Sequence, residues 1–141
     1  MRIIGIDFGE KRIGVAAADD RMRIAIPVAT IDAGNDPVEA IVRIAAEERA
    51  DELVIGLPLS LTGAEGPQAQ LIRDAVAALE TKLTIPIHLQ DERLTTRQAS
   101  HAGPPRKKKG ISRAKAGAPT RDAAAAAILL QAYLDGQRPY G

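Results

Sequence analysis

Three acidic residues stand at the ends of otherwise apolar stretches of this chain, where folding can bring them together. Asp7 closes the run that begins at Arg2, Glu92 follows a second apolar run, and Asp122 opens an alanine-rich segment. Carboxylate oxygens are ligands that Mg²⁺ and Mn²⁺ prefer. Two such ions about 4 Å apart stabilise the charge on the attacking and leaving oxygens of a phosphodiester and lower the pKa of the attacking water. The three acids therefore predict a nuclease that uses one or two divalent ions.

Each acid also has a simpler explanation. A carboxylate at Asp7, after a run of isoleucines, is costly near a core unless it is paired or binds a metal, but a turn aspartate is the alternative. Asp122 continues the apolar face of a helix, yet an acid in a first helical turn also complements the helix dipole. Asp91 is spaced nearly as well as Glu92 for the third position. The choice between these two neighbours stays open on spacing alone.

The positive charge of the chain is concentrated in one segment. The net charge is +1, but the segment from Arg93 to Arg121 holds nine basic residues and no acid, so the other 10 of the 19 basic residues face all 18 acids. Such a segment is suited to phosphate, although a solvated basic loop is the alternative. The candidate substrate-binding residues are Lys11, Arg12, Arg93, Thr95, Thr96, Arg106, Lys107, Lys108, Lys109, Arg113, Lys115 and Arg121.

Composition narrows the class of protein. The chain has 141 residues, 45% of them hydrophobic, which predicts one domain over residues 1–141. Its apolar stretches are shorter than the roughly 20 residues of a membrane span, and its amino terminus is strand-like, so we expect a cytoplasmic protein with no membrane partner. The absence of cysteine excludes disulfides and thiolate chemistry. With only three aromatic residues, recognition of nucleic acid should rest on backbone and shape rather than on base stacking.

Hydrophobic periodicity predicts the elements that position the candidate residues. Asp36 and Pro37 give one helix an N-cap and a first-turn proline, and the unbroken apolar run Leu53–Leu57 is typical of a central parallel strand. The predicted order is strands over Arg2–Phe8, Ile13–Ala18 and Arg23–Thr30, a helix over about Pro37–Arg49, a strand over Leu53–Leu57, a helix that carries Ala69 to Leu79, a strand over Ile85–Leu89, and a last helix from Thr120 through Leu134. This order predicts an α/β fold.

Four segments carry a resemblance to a known family. They are IGIDFGEKRIGVA at Ile4–Ala16, VIGLPLSLTG at Val54–Gly63, DERLTT at Asp91–Thr96 and RDAAAAAILL at Arg121–Leu130. Together they resemble the YqgF family, also called RuvX, of the ribonuclease-H-like superfamily. Members of this bacterial family are proposed to be Holliday junction resolvases or nucleases that mature the 5′ end of pre-16S ribosomal RNA. The resemblance extends over essentially the whole chain.

The resemblance implies a ribonuclease-H-like mixed sheet of five strands, in the order 3-2-1-4-5 with strand 2 antiparallel, flanked by helices. It also implies that Asp7, Glu92 and Asp122 are the catalytic and metal-binding residues, since the family's acid-Glu-Arg motif falls at Asp91 to Arg93. Many nucleases of the superfamily carry an acid at the end of strand 4, where this chain has Gly56, Leu57 and Pro58. This departure leaves catalysis by a single Mg²⁺ or Mn²⁺ ion open.

The function hypothesis is a metal-dependent endonuclease that acts on structured RNA, first of all pre-16S ribosomal RNA. Resolution of branched DNA shares the site but requires two active sites, and hence a homodimer. Two other classes stay open. A nucleotide-binding domain is one, because the turn at Asp7 to Gly9 is similar to the first phosphate loop of actin-like ATPases. A nucleic-acid-binding adaptor without catalysis is the other, because the basic segment suffices for it.

Overall fold

A five-stranded mixed sheet forms the centre of the structure. The computed structural model describes residues 1–9, 11–32, 34, 36–58, 62–92 and 121–136, with only the backbone described at 121. The elements are β1 (Arg2–Phe8), β2 (Arg12–Asp19), β3 (Ile26–Asp32), α1 (Pro37–Glu47), β4 (Glu52–Leu57), α2 (Pro67–Lys82), β5 (Ile87–Asp91) and α3 (Arg121–Gly136). The strand order is 3-2-1-4-5, which confirms the predicted topology.

The pairing of the strands follows from their connections. A short turn joins β1 to β2, and both β2–β1 and β2–β3 are antiparallel. The connections through α1 and α2 cross over the sheet, so β4 is parallel to both β1 and β5. As a result β1 is the central strand, and the carboxyl ends of β1, β4 and β5 lie at the same edge of the sheet.

Each face of the sheet is covered by helices. On one face, Ile4 and Ile6 of β1 and the leucines of β4 pack under the apolar sides of α1 and α2. On the other face, α3 is the helix among the described residues that packs against small residues such as Ala16 and Ala18. The alternation of side chains in β1 therefore assigns Ile4 and Ile6 to the first face and Ile3, Gly5 and Asp7 to the α3 face. Among the described residues, no helix is long and apolar enough to cross a membrane.

The third strand begins later than the sequence predicts. The prediction was Arg23–Thr30, whereas β3 begins at Ile26 and continues to Asp32. Arg23 has a left-handed φ of 56°, and the backbone N–H of Ala25 donates to the Gln131 side chain instead of to β2. Both features hold this segment out of the sheet until Ile26.

The ends of other elements also differ by a few residues from their predictions. Helix α1 ends at Glu47 rather than near Arg49, because Arg49 has a φ of 54° and turns the chain out of the helix. Its start is as predicted, since the Asp36 side chain accepts from the Glu39 N–H at 3.1 Å. Strand β5 starts at Ile87, directly after Pro86, which has no N–H to donate to a neighbouring strand. The predicted cap of α3, Thr120, lies outside the described residues.

The carboxyl-terminal half of α3 is tied to the turn between β2 and β3. The Gln131 amide accepts from Ala25 N–H at 2.9 Å and donates to the Arg23 carbonyl at 3.1 Å. The Arg23 guanidinium in turn donates to the Leu134 carbonyl at 2.5 Å, near the negative end of the helix. We call Arg23, Ala25 and Gln131 the α3 latch, because these bonds fix where the helix sits on the sheet.

Candidate carboxylate site

Asp7 lies at the carboxyl end of the central strand, on the face that α3 covers. The residues before it on this face, Ile3 and Gly5, pack under α3, while Asp7 itself is half-buried. It pairs with Gly14 across the β1–β2 hairpin. This position brings its carboxyl to the edge where β4 and β5 also end.

Glu92 directly follows β5 and reaches back over the sheet edge to Asp7. The two carboxyl groups are joined by a hydrogen bond, and the Glu92 side chain is half-buried. Asp91, by contrast, pairs with Leu57, whose side chain packs in the core under α1 and α2. Paired residues of neighbouring strands share a face, so Asp91 lies on the side away from α3. Glu92, rather than Asp91, is therefore the acid next to Asp7.

Asp122 approaches the same place from the first turn of α3. It is half-buried, and its negative charge is close enough to raise the pKa of Asp7. The buried residues Ala126, Leu129 and Tyr133 follow it at helical spacing, as the sequence predicts. The structure therefore brings Asp7 into contact with Glu92 and places Asp122 within electrostatic reach of Asp7.

The carboxyl pair shares a proton. Burial raises the pKa of Asp7, the hydrogen bond from Glu92 opposes that rise, and the charge of Asp122 adds to it. Burial, followed by the hydrogen bond to Asp7 and the charges of Asp7 and Asp91, raises the pKa of Glu92 to about 8. Glu92 therefore holds the proton and donates it to the Asp7 carboxylate near neutral pH. Two adjacent carboxyls that cannot both ionise behave as one coupled pair.

The donor set suits a divalent cation. Among the described residues, no group of three or more His, Asp or Glu side chains is arranged closely enough to hold a metal ion. Oxygen donors are nevertheless the ligands that Mg²⁺ and Mn²⁺ prefer. A bound cation would take the place of the shared proton and reduce the repulsion between the Asp7 and Glu92 carboxylates. Asp7 and Glu92 would hold the ion, with Asp122 as the third acid beside them.

Two glycines beside Asp7 are absent from the sequence-based list of site residues. A Cβ on Gly14 would collide with the backbone carbonyl of Asp122 and lie 3.0 Å from the Ala123 nitrogen. A Cβ on Gly56 would lie 2.8 Å from the Glu92 carboxyl carbon. The sequence does contain a signal for these glycines, because both lie inside apolar strand segments. A glycine in the interior of a strand often marks a place where other groups approach the backbone closely.

The basic residues near the site are only partly described. Lys11 and Arg12 are exposed at the β1–β2 turn, which is closed by a 2.7 Å hydrogen bond from the Gly9 N–H to the Arg12 carbonyl. Their turn lies at the same sheet edge as Asp7. The predicted substrate-binding residues Arg93, Thr95, Thr96, Arg106, Lys107, Lys108, Lys109, Arg113 and Lys115, and the side chain of Arg121, lie outside the described part of the chain.

Sequence comparison finds relatives along the full chain. The sequence profile of the RuvX family, described as a Holliday junction resolvase, matches residues 1–136. A protein of Chloroflexus aggregans, named as a proposed pre-16S rRNA nuclease, is 43% identical over 139 residues, which are 96% of this chain and 94% of that protein. A protein of Anaeromyxobacter sp. (strain K) with the same name is 38% identical over 141 residues, covering 99% and 100% of the two chains.

Comparison of structures finds the same fold in junction resolvases. The structure of T. thermophilus RuvC in complex with a Holliday junction substrate superposes with a TM-score of 0.58 at 14% identity and covers 97% of this chain and 95% of RuvC. The fowlpox virus Holliday junction resolvase gives a TM-score of 0.61 at 14% identity, with 96% and 99% covered. At these identities the likeness shows a shared fold, and it confirms the ribonuclease-H-like architecture that the sequence predicts.

Proposed function

Because the chain belongs to the RuvX family, we propose that it is a metal-dependent nuclease that processes the 5′ end of precursor 16S ribosomal RNA in the cytoplasm. The observation that carries this proposal is the contact between the Asp7 and Glu92 carboxyls, with Asp122 beside them. Two half-buried acids forced together are costly in a protein unless a cation or a proton bridges them. Such a pair at the ends of parallel strands is suited to bind metal.

The residues of the site divide into two roles. Asp7 and Glu92 would hold the metal, with Asp122 as the third acid beside them, and the bound metal would supply Lewis-acid stabilisation of the phosphodiester and an activated water. Lys11 and Arg12, exposed at the neighbouring turn, bind backbone phosphates on either side of the cleaved bond. The basic residues between Arg93 and Arg121 extend this phosphate contact along the substrate.

The choice of RNA rests on the relatives. Proteins that are about 40% identical over nearly the whole chain carry the name of a pre-16S rRNA nuclease. A second candidate function is resolution of a four-way DNA junction, which the description of the RuvX family favours. Because resolution cuts two strands, it requires a homodimer with two active sites.

The proposal is tested by cleavage of two labelled substrates side by side, a pre-16S leader RNA and a four-way DNA junction. Each is incubated with Mg²⁺, Mn²⁺ or a chelator. We expect cutting of the RNA that needs metal and falls by a factor of at least about 10³ in Asp7→Asn, because a lost ligand removes transition-state stabilisation of several kcal/mol. Asp7→Asn should still bind RNA, because the substitution removes a negative charge that repels the phosphates of the substrate.

The control variant is Asp74→Asn, in which the exposed acid lies on α2 and accepts from Gln70 at 2.9 Å. It should cut like the wild type. Metal-dependent cutting of the junction alone would replace the RNA proposal with the second candidate. Binding of either substrate without cutting in any metal, unchanged in Asp7→Asn, would leave the adaptor as the function.

A further inference from the structure

Asp7 is flanked by a glycine on each neighbouring strand. Gly14 of β2 pairs with Asp7 directly. On the other side, Ile6 pairs with Ile55 of β4, so the next residues of the two strands, Asp7 and Gly56, lie side by side in one row across the sheet. Gly56 in turn pairs with Gln90 of β5. The residues of one row share a face of the sheet. Of the three residues on this row in β2, β1 and β4, only Asp7 of β1 has a side chain that points toward α3.

The space beside Gly56 is filled by the side chain of Glu92. A Cβ on Gly56 would lie 2.8 Å from the Glu92 carboxyl carbon and 2.9 Å from its Cγ, and it would also collide with Oε1. Non-bonded carbon atoms pack at about 3.5–4.0 Å, so a methyl group at this position and the present position of Glu92 exclude each other. The absence of a side chain on β4 is therefore what lets Glu92 reach across β4 to Asp7.

We infer that Gly56 is a positioning residue. Because it has no side chain, the Glu92 side chain can lie over it and bring its carboxyl into contact with Asp7. The inference rests on the proposed function, since it concerns how the metal-binding pair is assembled. Gly56 has no side chain to offer a metal and acts through Glu92. A residue with any Cβ at this position turns the Glu92 side chain away from Asp7, while the strand itself keeps its hydrogen bonds.

Gly5 provides a matched control on the same face. It lies two residues before Asp7 on β1, and a Cβ there would lie 2.9 Å from Leu130 Cβ and 3.3 Å from the Ala126 carbonyl oxygen. Gly5→Ala therefore disturbs the packing of α3 by a contact of similar closeness, but it does not touch Glu92. Comparison of the two variants separates a general packing defect from a specific displacement of Glu92.

The test measures Mn²⁺ affinity of the whole protein by titration calorimetry in the absence of substrate, together with the urea midpoint of the metal-free protein. We expect Gly56→Ala to weaken Mn²⁺ binding about 10- to 100-fold, the range seen when a metal ligand loses its support. Its urea midpoint should stay near that of the wild type, because the obstructed Glu92 can turn toward solvent. Gly5→Ala should lower the midpoint and weaken Mn²⁺ binding by the folded protein less than Gly56→Ala does, because it leaves the contact between Asp7 and Glu92 in place.

A double-mutant cycle with Glu92→Ala shows whether the effect passes through Glu92. Once the carboxyl side chain is gone, Gly56→Ala should cause no further loss of Mn²⁺ affinity. Wild-type affinity in Gly56→Ala, or an equal loss with and without Glu92, would overturn the inference. Those results would leave the proposed function standing as long as Asp7→Asn and Glu92→Ala bind Mn²⁺ more weakly than the wild type and lose cleavage. If these two variants bind and cut like the wild type, the proposed function itself fails, and the inference with it.

Discussion

At the scale of single residues, the proton shared by Asp7 and Glu92 is the feature whose chemistry can be measured. Glu92 keeps a proton near neutral pH because its pKa is raised to about 8, mainly by burial and then by Asp7. An unfolded chain has no such pair, so its Glu92 releases the proton at the ordinary pKa of 4.5. The folded protein without metal thus binds a proton that the unfolded chain does not.

This difference predicts how stability depends on pH. Below about pH 4.5 both states hold the proton, and between pH 4.5 and 8 only the folded state does, so the stability of the metal-free protein falls as the pH rises through this window. Glu92→Gln removes this titration. Between pH 5 and pH 8, we expect the free energy of unfolding of the wild type to fall by about 1–2 kcal/mol relative to that of Glu92→Gln. This is less than the full pKa shift implies, because the pair is partly hydrated.

Urea unfolding of both proteins with a chelator, at pH 5 and pH 8, measures this difference. Titration of the acids outside the pair cancels in the comparison, whereas Asp7 is coupled to Glu92 and is part of the measured difference. A gap between wild type and Glu92→Gln that is the same at both pH values would show that the two carboxyls do not share a proton in solution.

At the scale of elements, α3 decides whether the third acid reaches the pair. Gly5, Gly14 and Ala16 on the sheet face under it present little or no side chain, and the backbone of Asp122 therefore lies directly against Gly14. The α3 latch holds the other end of the helix through Gln131. Contact with the sheet at one end and hydrogen bonds at the other together determine the position of Asp122.

Gln131→Leu tests the latch. The change leaves the Ala25 N–H and the Arg23 carbonyl without their part-buried partners, which should lower the free energy of unfolding by about 1–2 kcal/mol. Gln70→Leu is the matched control, because Gln70 makes an exposed bond to Asp74 on α2 and its loss should cost less than about 0.5 kcal/mol. Urea unfolding at fixed pH measures both variants. Equal losses in the two would show that the latch adds nothing to the stability of the helix.

At the scale of the whole molecule, much of the fold was predictable because it follows from local patterns. A hairpin, a third antiparallel strand and two crossovers lead to the observed strand order, and acids at the ends of Arg2–Phe8 and of β5 must then meet at one edge. The start of β3 was wrong in the prediction because its cause, the bond to Gln131, lies 106 residues away. No local pattern reports a partner at that distance.

The proximity of the candidate acids could be predicted from the sequence, but the role of the glycine that gives Glu92 room could not. Asp7 and Glu92 stand out as charges beside apolar runs, whereas Gly56 looks like one more small residue in a buried strand. Its significance depends on the path of the Glu92 side chain, which is a tertiary feature. The choice between Asp91 and Glu92 likewise needed the register of β5 against β4, in which Asp91 pairs with Leu57.

Binding of metal should stabilise the whole molecule, because the proposed ligands belong to β1, the end of β5 and α3. A ligand that binds only the folded state adds about 2.7 kcal/mol at a concentration one hundred times its dissociation constant. We therefore expect Mn²⁺ to raise the thermal midpoint of the wild type and of Asp74→Asn, and to leave that of Asp7→Asn unchanged. Thermal unfolding followed by circular dichroism measures this. An equal rise in Asp7→Asn would mean that the ion binds elsewhere.

The place of α3 in the chain also determines when during translation the acids can first come together. A ribosome completes Asp7 and β1 first, Glu92 much later, and Asp122 only with the last helix. Domains generally fold as units during synthesis, so the site is completed only when the helix that carries Asp122 has been made. Truncated products that stop before Asp122 lack the third carboxylate, whatever their degree of folding. In a cell, this protein is made beside ribosomal RNA. The complete acid site is therefore present only in chains that have been synthesised at least as far as α3.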